Sequence, residues 1–171
     1  MEYWCFEAMF QYSDIPLLPT DLNIRLAGPE DAESIARLVR ELAVYERLAH
    51  EVISTADDFR QALSRPGSSV EVLLAELAGR AVGFALFFQN FSTFVGRPGL
   101  YLEDLFIETE HRRRGIGLAL FQELLGIARR RNYGRMEWAV LDWNQPAIDF
   151  YTQKFQARLL EEWRICRIEL V

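Results

Sequence analysis

Apolar and polar residues alternate in LNIRLA (22–27), the period of a strand with one buried face. Gly28-Pro29-Glu30-Asp31 then opens a helix, because proline is tolerated in a first turn and acids suit the positive end of the helix dipole. Ile35, Leu38, Val39, Leu42 and Tyr45 recur every three or four residues, so the spacing predicts an amphipathic helix to about Leu48. Ser54 or Thr55 caps a second, shorter helix, which Pro66-Gly67 ends. VEVLLAEL (70–77) and RAVGFALFFQNF (80–91) are rich in strand formers and flank Ala78-Gly79, a hairpin signature. GLYLEDLFIE (99–108) predicts another strand and residues 115–131 a strong helix. RMEWAVLDW (135–143) reads as a strand, QPAIDFYTQKF (145–155) as a helix, and RLLEEWRICRIELV (158–171) as one or two closing strands.

The order β-α-α-β-β-β-α-β-α-β implies an α/β fold of the α+β kind, a mixed sheet with helices on its faces. Residues 22–171 read as one domain, without repeat or linker. Residues 1–21, apolar and aromatic and ending in the turn-rich SDIPLLPTD, read as an N-terminal appendage.

Charge narrows the range of partners. The net charge is −6 and the pI about 5.0, which argues against bulk nucleic-acid binding, where a basic surface supplies most of the affinity. The acidic balance suits a small cationic substrate as a steering field, and equally suits plain solubility. Cys5 and Cys166 stand at opposite ends, and His50 and His111 are isolated, so no metal site or thiol motif is expected. No run is long enough to span a bilayer, and the N-terminus has no early cation of a signal peptide. The expected setting is cytoplasmic.

Arg112, Arg113, Arg114, Gly115, Ile116 and Gly117 (RRRGIG) sit where a strand passes into a helix. A helix start has open N–H groups and partial positive charge, and glycines there let backbone approach a ligand. A pyrophosphate-sized anion fits this junction; so does a charged turn, and so, less well, does a DNA-reading helix. The P-loop pattern fails at Leu118 and Ala119, and the dinucleotide fingerprint fails at Leu120.

Glu103 and Asp104 interrupt an apolar strand, and alternation sends them to opposite faces. Burial of a carboxylate raises its pKa unless it is paired, so the pair reads either as a base with a cation anchor or as two satisfied structural acids. Asn144 is a good N-cap, Pro146 falls in a first turn, and Ala147, Ile148, Phe150 and Tyr151 share an apolar face, which on pattern alone makes Tyr151 a core tyrosine.

Arg-x-x-Gly-x-Gly after a carboxylate-bearing strand resembles the acyl-CoA motif of the GNAT superfamily of N-acetyltransferases. LYLEDLFIETEHRRRGIG, AVLDWNQPAIDFY and ELAVYERL resemble the corresponding stretches of its spermidine/spermine and thialysine N-acetyltransferase branch, and the likeness covers residues 22–170 in order. The resemblance implies the GNAT fold, a mixed, mostly antiparallel twisted sheet with helices on both faces. It implies acetyl-CoA as co-substrate, without a metal. The pyrophosphate would lie on the amides of Arg113 to Leu118, with Arg112 beside them, and the pantetheine arm along Leu105, Phe106 and Ile107. Asn144, Gln145, Pro146 and Ala147 match further CoA contacts. Glu103 matches the base or amine anchor, with Asp104 in support, and Tyr151 the proton donor to the thiolate. Tyr45 and Glu46 match first-helix positions lining the amine site, and Glu137, Trp138 and Glu162 are further substrate-site matches. A small primary amine as acceptor (polyamine, thialysine or a lysine-like amine), direct transfer and a homodimer follow from the same resemblance. The alternative is a GNAT-fold module that binds acyl-CoA without turnover. One departure is FYTQKFQA, where Lys154-Phe155 stand in place of the branch's usual glycine.

Overall fold

The computed structural model describes residues 18–170, which divide after Trp138 into two units. The first holds β1 (Leu22–Leu26), α1 (Ala32–Glu46), α2 (Ala56–Ser64), β2 (Glu71–Leu77), β3 (Arg80–Ser92), β4 (Arg97–Ile107), α3 (Ile116–Arg130) and β5 (Met136–Trp138). The second holds α4 (Gln145–Asp149), which continues as a wider π-helical stretch over Phe150–Lys154. Most of the expected appendage, residues 1–17 including Cys5, lies outside the described residues. Among those described, no helix is long and apolar enough to cross a membrane.

The strands lie in sequence order β1-β2-β3-β4-β5, antiparallel except for the parallel β4–β5 pair. Local chemistry sets the ends of the elements. Thr55 caps α2: its hydroxyl accepts the Asp58 N–H, and the Asp58 carboxylate takes the Thr55 N–H at 2.7 Å. Ala78 and Gly79 both have positive φ (48° and 78°), the mirror-image turn whose twist suits a tight hairpin.

Register shows which face each side chain covers. Phe84 opposes Phe106, and both pack with Ile35, Leu38 and Leu42 of α1. Phe87 opposes Leu102 across the ladder and points the other way, toward the side where α3 buries Leu120, Phe121 and Leu124. Phe121 meets Trp138 of β5 edge-on, 5.2 Å between ring centroids. Truncating a fully buried anchor such as Leu120 to alanine would destabilise the fold by about 2–5 kcal/mol.

Three departures from the sequence reading have physical causes. The strand expected over 135–143 shrinks to Met136–Trp138, because β4 offers it only Leu100–Leu102 before a bulge breaks the ladder. No strand forms over residues 158–170; Leu159, Leu160, Trp163, Ile165, Ile168 and Leu170 are exposed there. Strand pattern alone does not make a strand without a partner ladder. At the end of the α4 helix, the left-handed conformation falls on Gln156 (φ 54°), one residue beyond Phe155, so the turn is made without the glycine.

Candidate active site

β4 delivers the chain to a 3-10 turn, Thr109–His111, and then into α3 through Arg113 (φ 61°) and Gly115 (φ 80°). These two left-handed residues carry the backbone from that turn into the start of α3. Ala119 is bonded to the Gly115 carbonyl at 3.0 Å, so the amides of Ile116, Gly117 and Leu118 precede the helical ladder. A Cβ built on Gly117 would meet only Ile107 Cγ1, at 3.7 Å, an ordinary contact. Packing therefore does not require glycine at 117, and the missing Cβ leaves that amide open to close approach. The amides left outside the ladder, and the room beside Gly117, suit an anion such as a pyrophosphate.

The arginines divide their work. Arg113 and Arg114 are exposed beside the cradle, and Arg114 Nη1 lies 3.2 Å from His111 Nδ1. Arg112 turns back: its Nε donates to the Ile107 carbonyl at 2.9 Å, and its guanidinium lies 4.2 Å over the Tyr45 ring. Ile116 buries its side chain in the core and offers only its amide. The cations at the far end of α3 are engaged elsewhere, Arg130 with Glu123 and Arg131 with Glu71.

Leu105 to Ile107 lie beyond the bulge, where, among the described residues, β4 has no strand on its β5 side. An open strand edge beside an anion cradle is what an extended amide-bearing arm needs. The bulged residue is Glu103: Phe87 pairs with Leu102 and Leu86 with Asp104, so Glu103 is left over and exposed.

Asp104 falls on the α1 face with Leu86 and Phe106, half-buried and, among the described residues, without an ion-pair partner. Burial pushes its carboxyl up to about 7, and the nearby charges of Glu103 and Glu46 add to the effect. Glu46, at the end of α1, is itself raised by burial. Tyr101 shares this face, its ring 5.1 Å from Phe88, and its hydroxyl is raised by burial and by Glu103 and Glu137. Glu137 is held by Arg135 at 2.7 Å and by Asn90 Nδ2 at 3.3 Å. The structure thus brings Glu46 and Glu103 close to Asp104, and Glu103 and Glu137 close to Tyr101, while Tyr45 lies under Arg112. Trp138, one residue past Glu137, faces the other side of the sheet, part-buried and edge-on to Phe121.

In the second unit, Asn144 is buried and its side chain accepts the Ala147 N–H at 3.4 Å, as an N-cap should. Pro146 stands in the first turn, and Gln145 bonds Asp149 at 2.7 Å. Tyr151 is buried in the π-helical stretch, where Phe150 stacks edge-on with it and with Phe155. Glu162 is exposed in the segment that lacks a strand.

Sequence reasoning passed over Tyr101 and Glu108 as site residues. Glu108 is 1% exposed, a charged residue at the end of an apolar strand and directly before the cradle turn. That position was the available signal.

The acetyltransferase (GNAT) family profile matches residues 33–156. An L-ornithine N5-acetyltransferase of Arabidopsis thaliana is 32% identical over 85% of this chain and 83% of its own length. A thialysine N-epsilon-acetyltransferase of Caenorhabditis elegans is 36% identical over 77% and 80%. Among solved structures, an integron cassette protein from the mobile metagenome of V. cholerae aligns with a TM-score of 0.72 at 26% identity, covering 88% of this chain and 94% of that one. An anion cradle at a helix start, an open strand edge and a carboxylate-rich face are thus found in a chain matched by the family over most of its length, and the protein belongs to the acetyltransferase (GNAT) family and is an acyltransferase.

Proposed function

We propose that the protein transfers the acetyl group of acetyl-CoA directly to a primary amine of a small cationic substrate, of the thialysine, ornithine or polyamine kind. The observation that carries this reading is the acidic face around Asp104, on the strand that leads to the cradle. Relatives named for ornithine and thialysine acetylation support the amine class.

Acetyl-CoA would supply an acetyl group activated as a thioester; the protein's own groups bind, orient and move protons. The amides of Ile116 to Leu118, with Arg113 and Arg114, would hold the pyrophosphate, and the β4 edge at Leu105 to Ile107 the pantetheine arm. An alkyl ammonium with pKa near 10.4 is almost wholly protonated at pH 7 and must lose a proton before it attacks. Exposed Glu103 would meet the cation, and Asp104, ionised above about pH 7, would accept its proton. Glu46 would add negative field, and Glu137, already bonded to Arg135, would act through the charge it places beside Tyr101. Tyr151 is assigned as donor to the departing thiolate; a phenol with pKa near 10 carries its proton at pH 7.

A homodimer belongs to the same reading. The exposed apolar residues Trp163, Ile165, Ile168 and Leu170 have a strand-like pattern and, among the described residues, no ladder, which a second copy would provide.

The test is thiol release from acetyl-CoA with a panel of thialysine, ornithine, polyamines and aminoglycosides. Turnover with one of the first three is expected, and Tyr151→Phe should lower it sharply; undiminished turnover in that variant removes Tyr151 as the acid. Gly117→Ala should weaken acetyl-CoA binding about tenfold without lowering the melting temperature, since alanine fits the fold there and favours helix.

A further inference from the structure

Glu108 is the most buried carboxylate of the described chain, and the proposed chemistry makes no use of it. Arg80 grips it with both guanidinium nitrogens, at 2.6 and 2.7 Å, and Arg37 of α1 bonds it from the other side. Arg37 also donates to the Ala81 carbonyl at 2.6 Å, so one acid ties α1 to β3. The backbone of Glu108 is pinned as well: its N–H donates to Val82 O and its carbonyl accepts the His111 N–H, both at 2.9 Å.

The network continues into the cradle. His111 Nε2 lies 3.6 Å from the Glu108 carboxylate, and Arg114 Nη1 lies 3.2 Å from His111 Nδ1. A guanidinium can only donate, so the imidazole meets Arg114 through Nδ1 and turns Nε2 toward Glu108. Glu108, Glu110 and His111 also bring ligand-type atoms within 4.8 Å of one another. Both oxygens of Glu108 are already taken by guanidiniums, which makes the group an ion-pair anchor rather than a cation site.

We propose that Glu108 is a positioning residue for acyl-CoA: held by Arg37 and Arg80, it fixes the turn that presents the α3 amides and, through His111, aims Arg114 at the pyrophosphate. The inference rests on the acyl-CoA reading given above. A carboxylate is required because only a fixed negative charge satisfies two guanidiniums and orients the imidazole at once.

The experiment is calorimetric titration of the full chain with coenzyme A, together with steady-state kinetics on acetyl-CoA and thialysine. Glu108→Gln should raise the Kd for coenzyme A and the KM for acetyl-CoA about tenfold, the scale of losing one charge-assisted partner. The KM for thialysine and kcat at saturating acetyl-CoA should stay near those of the unaltered protein. Arg80→Met, at a side chain 55% exposed and therefore tolerant of change, should shift the same constants by a smaller factor and serves if Glu108→Gln does not fold. Unchanged coenzyme A affinity in both variants, or equal rises in both KM values, overturns the proposal while leaving the acyl-CoA reading intact. Absence of coenzyme A binding by the unaltered protein overturns both.

Discussion

Asp104 within β4 and Glu108 just beyond its end stand four positions apart and meet opposite fates. Both lose water, and burial alone would push both carboxyls up. At Asp104 burial is the largest influence and the charges of Glu103 and Glu46 act in the same direction, so its value rises to about 7. At Glu108 burial is again the largest single influence, but Arg80 and Arg37 together overcome it and hold the carboxyl below its usual range. Partners, not depth, decide whether a buried acid becomes a proton acceptor or an anchor.

Removing each acid in turn separates the roles. Asp104→Asn should lower kcat/KM by about 100- to 10,000-fold, the range for loss of a general base, measured by thiol release. Glu108→Gln should cost only the roughly tenfold rise in KM for acetyl-CoA given above, and should also lower stability, by about 1–3 kcal/mol in denaturant unfolding near pH 8, because two part-exposed guanidiniums lose their counter-charge.

The two acids should also respond oppositely to pH. Asp104 has a folded value above its unfolded one of 3.8, so the folded state binds the proton more tightly. Its effect is to take stability away as pH rises from about 4 to about 7. Glu108 has a folded value below its unfolded 4.5, so its stabilisation is present above about that pH and fades as pH falls further. Asp104→Asn should therefore be more stable than the unaltered chain at pH 8, by on the order of 1–2 kcal/mol, with no gain near pH 4. The advantage of the unaltered chain over Glu108→Gln should shrink on acidification. Unfolding curves at the two pH values check both.

What could be read from sequence follows the reach of the interactions. A cap at Ser54 or Thr55, the Ala78-Gly79 hairpin and a helix start at the glycines after Arg114 are local chemistry; the structure makes Thr55 the cap and places the other two where the spacing predicts. Period-two alternation also separates Glu137 from Trp138, which face opposite sides of the sheet. The bulge at Glu103 was not legible, because it depends on how β3 and β4 register, and it decides which carboxylate is buried. Glu108 was missed for a similar reason: its partners Arg80 and Arg37 lie 28 and 71 residues away. The closing strands failed because residues 158–170 carry strand chemistry without a neighbour to pair with.

The central claim is that a carboxyl titrating near 7 at position 104 takes the proton of the amine. The pH profile of kcat/KM for the unaltered protein and Asp104→Asn, with the best amine of the panel, tests it most directly. The unaltered protein should lose about tenfold in kcat/KM per pH unit below about 7, and the variant should lack that limb as well as most of the rate. An Asp104→Asn enzyme that keeps both the rate and the inflection near 7 would contradict the account.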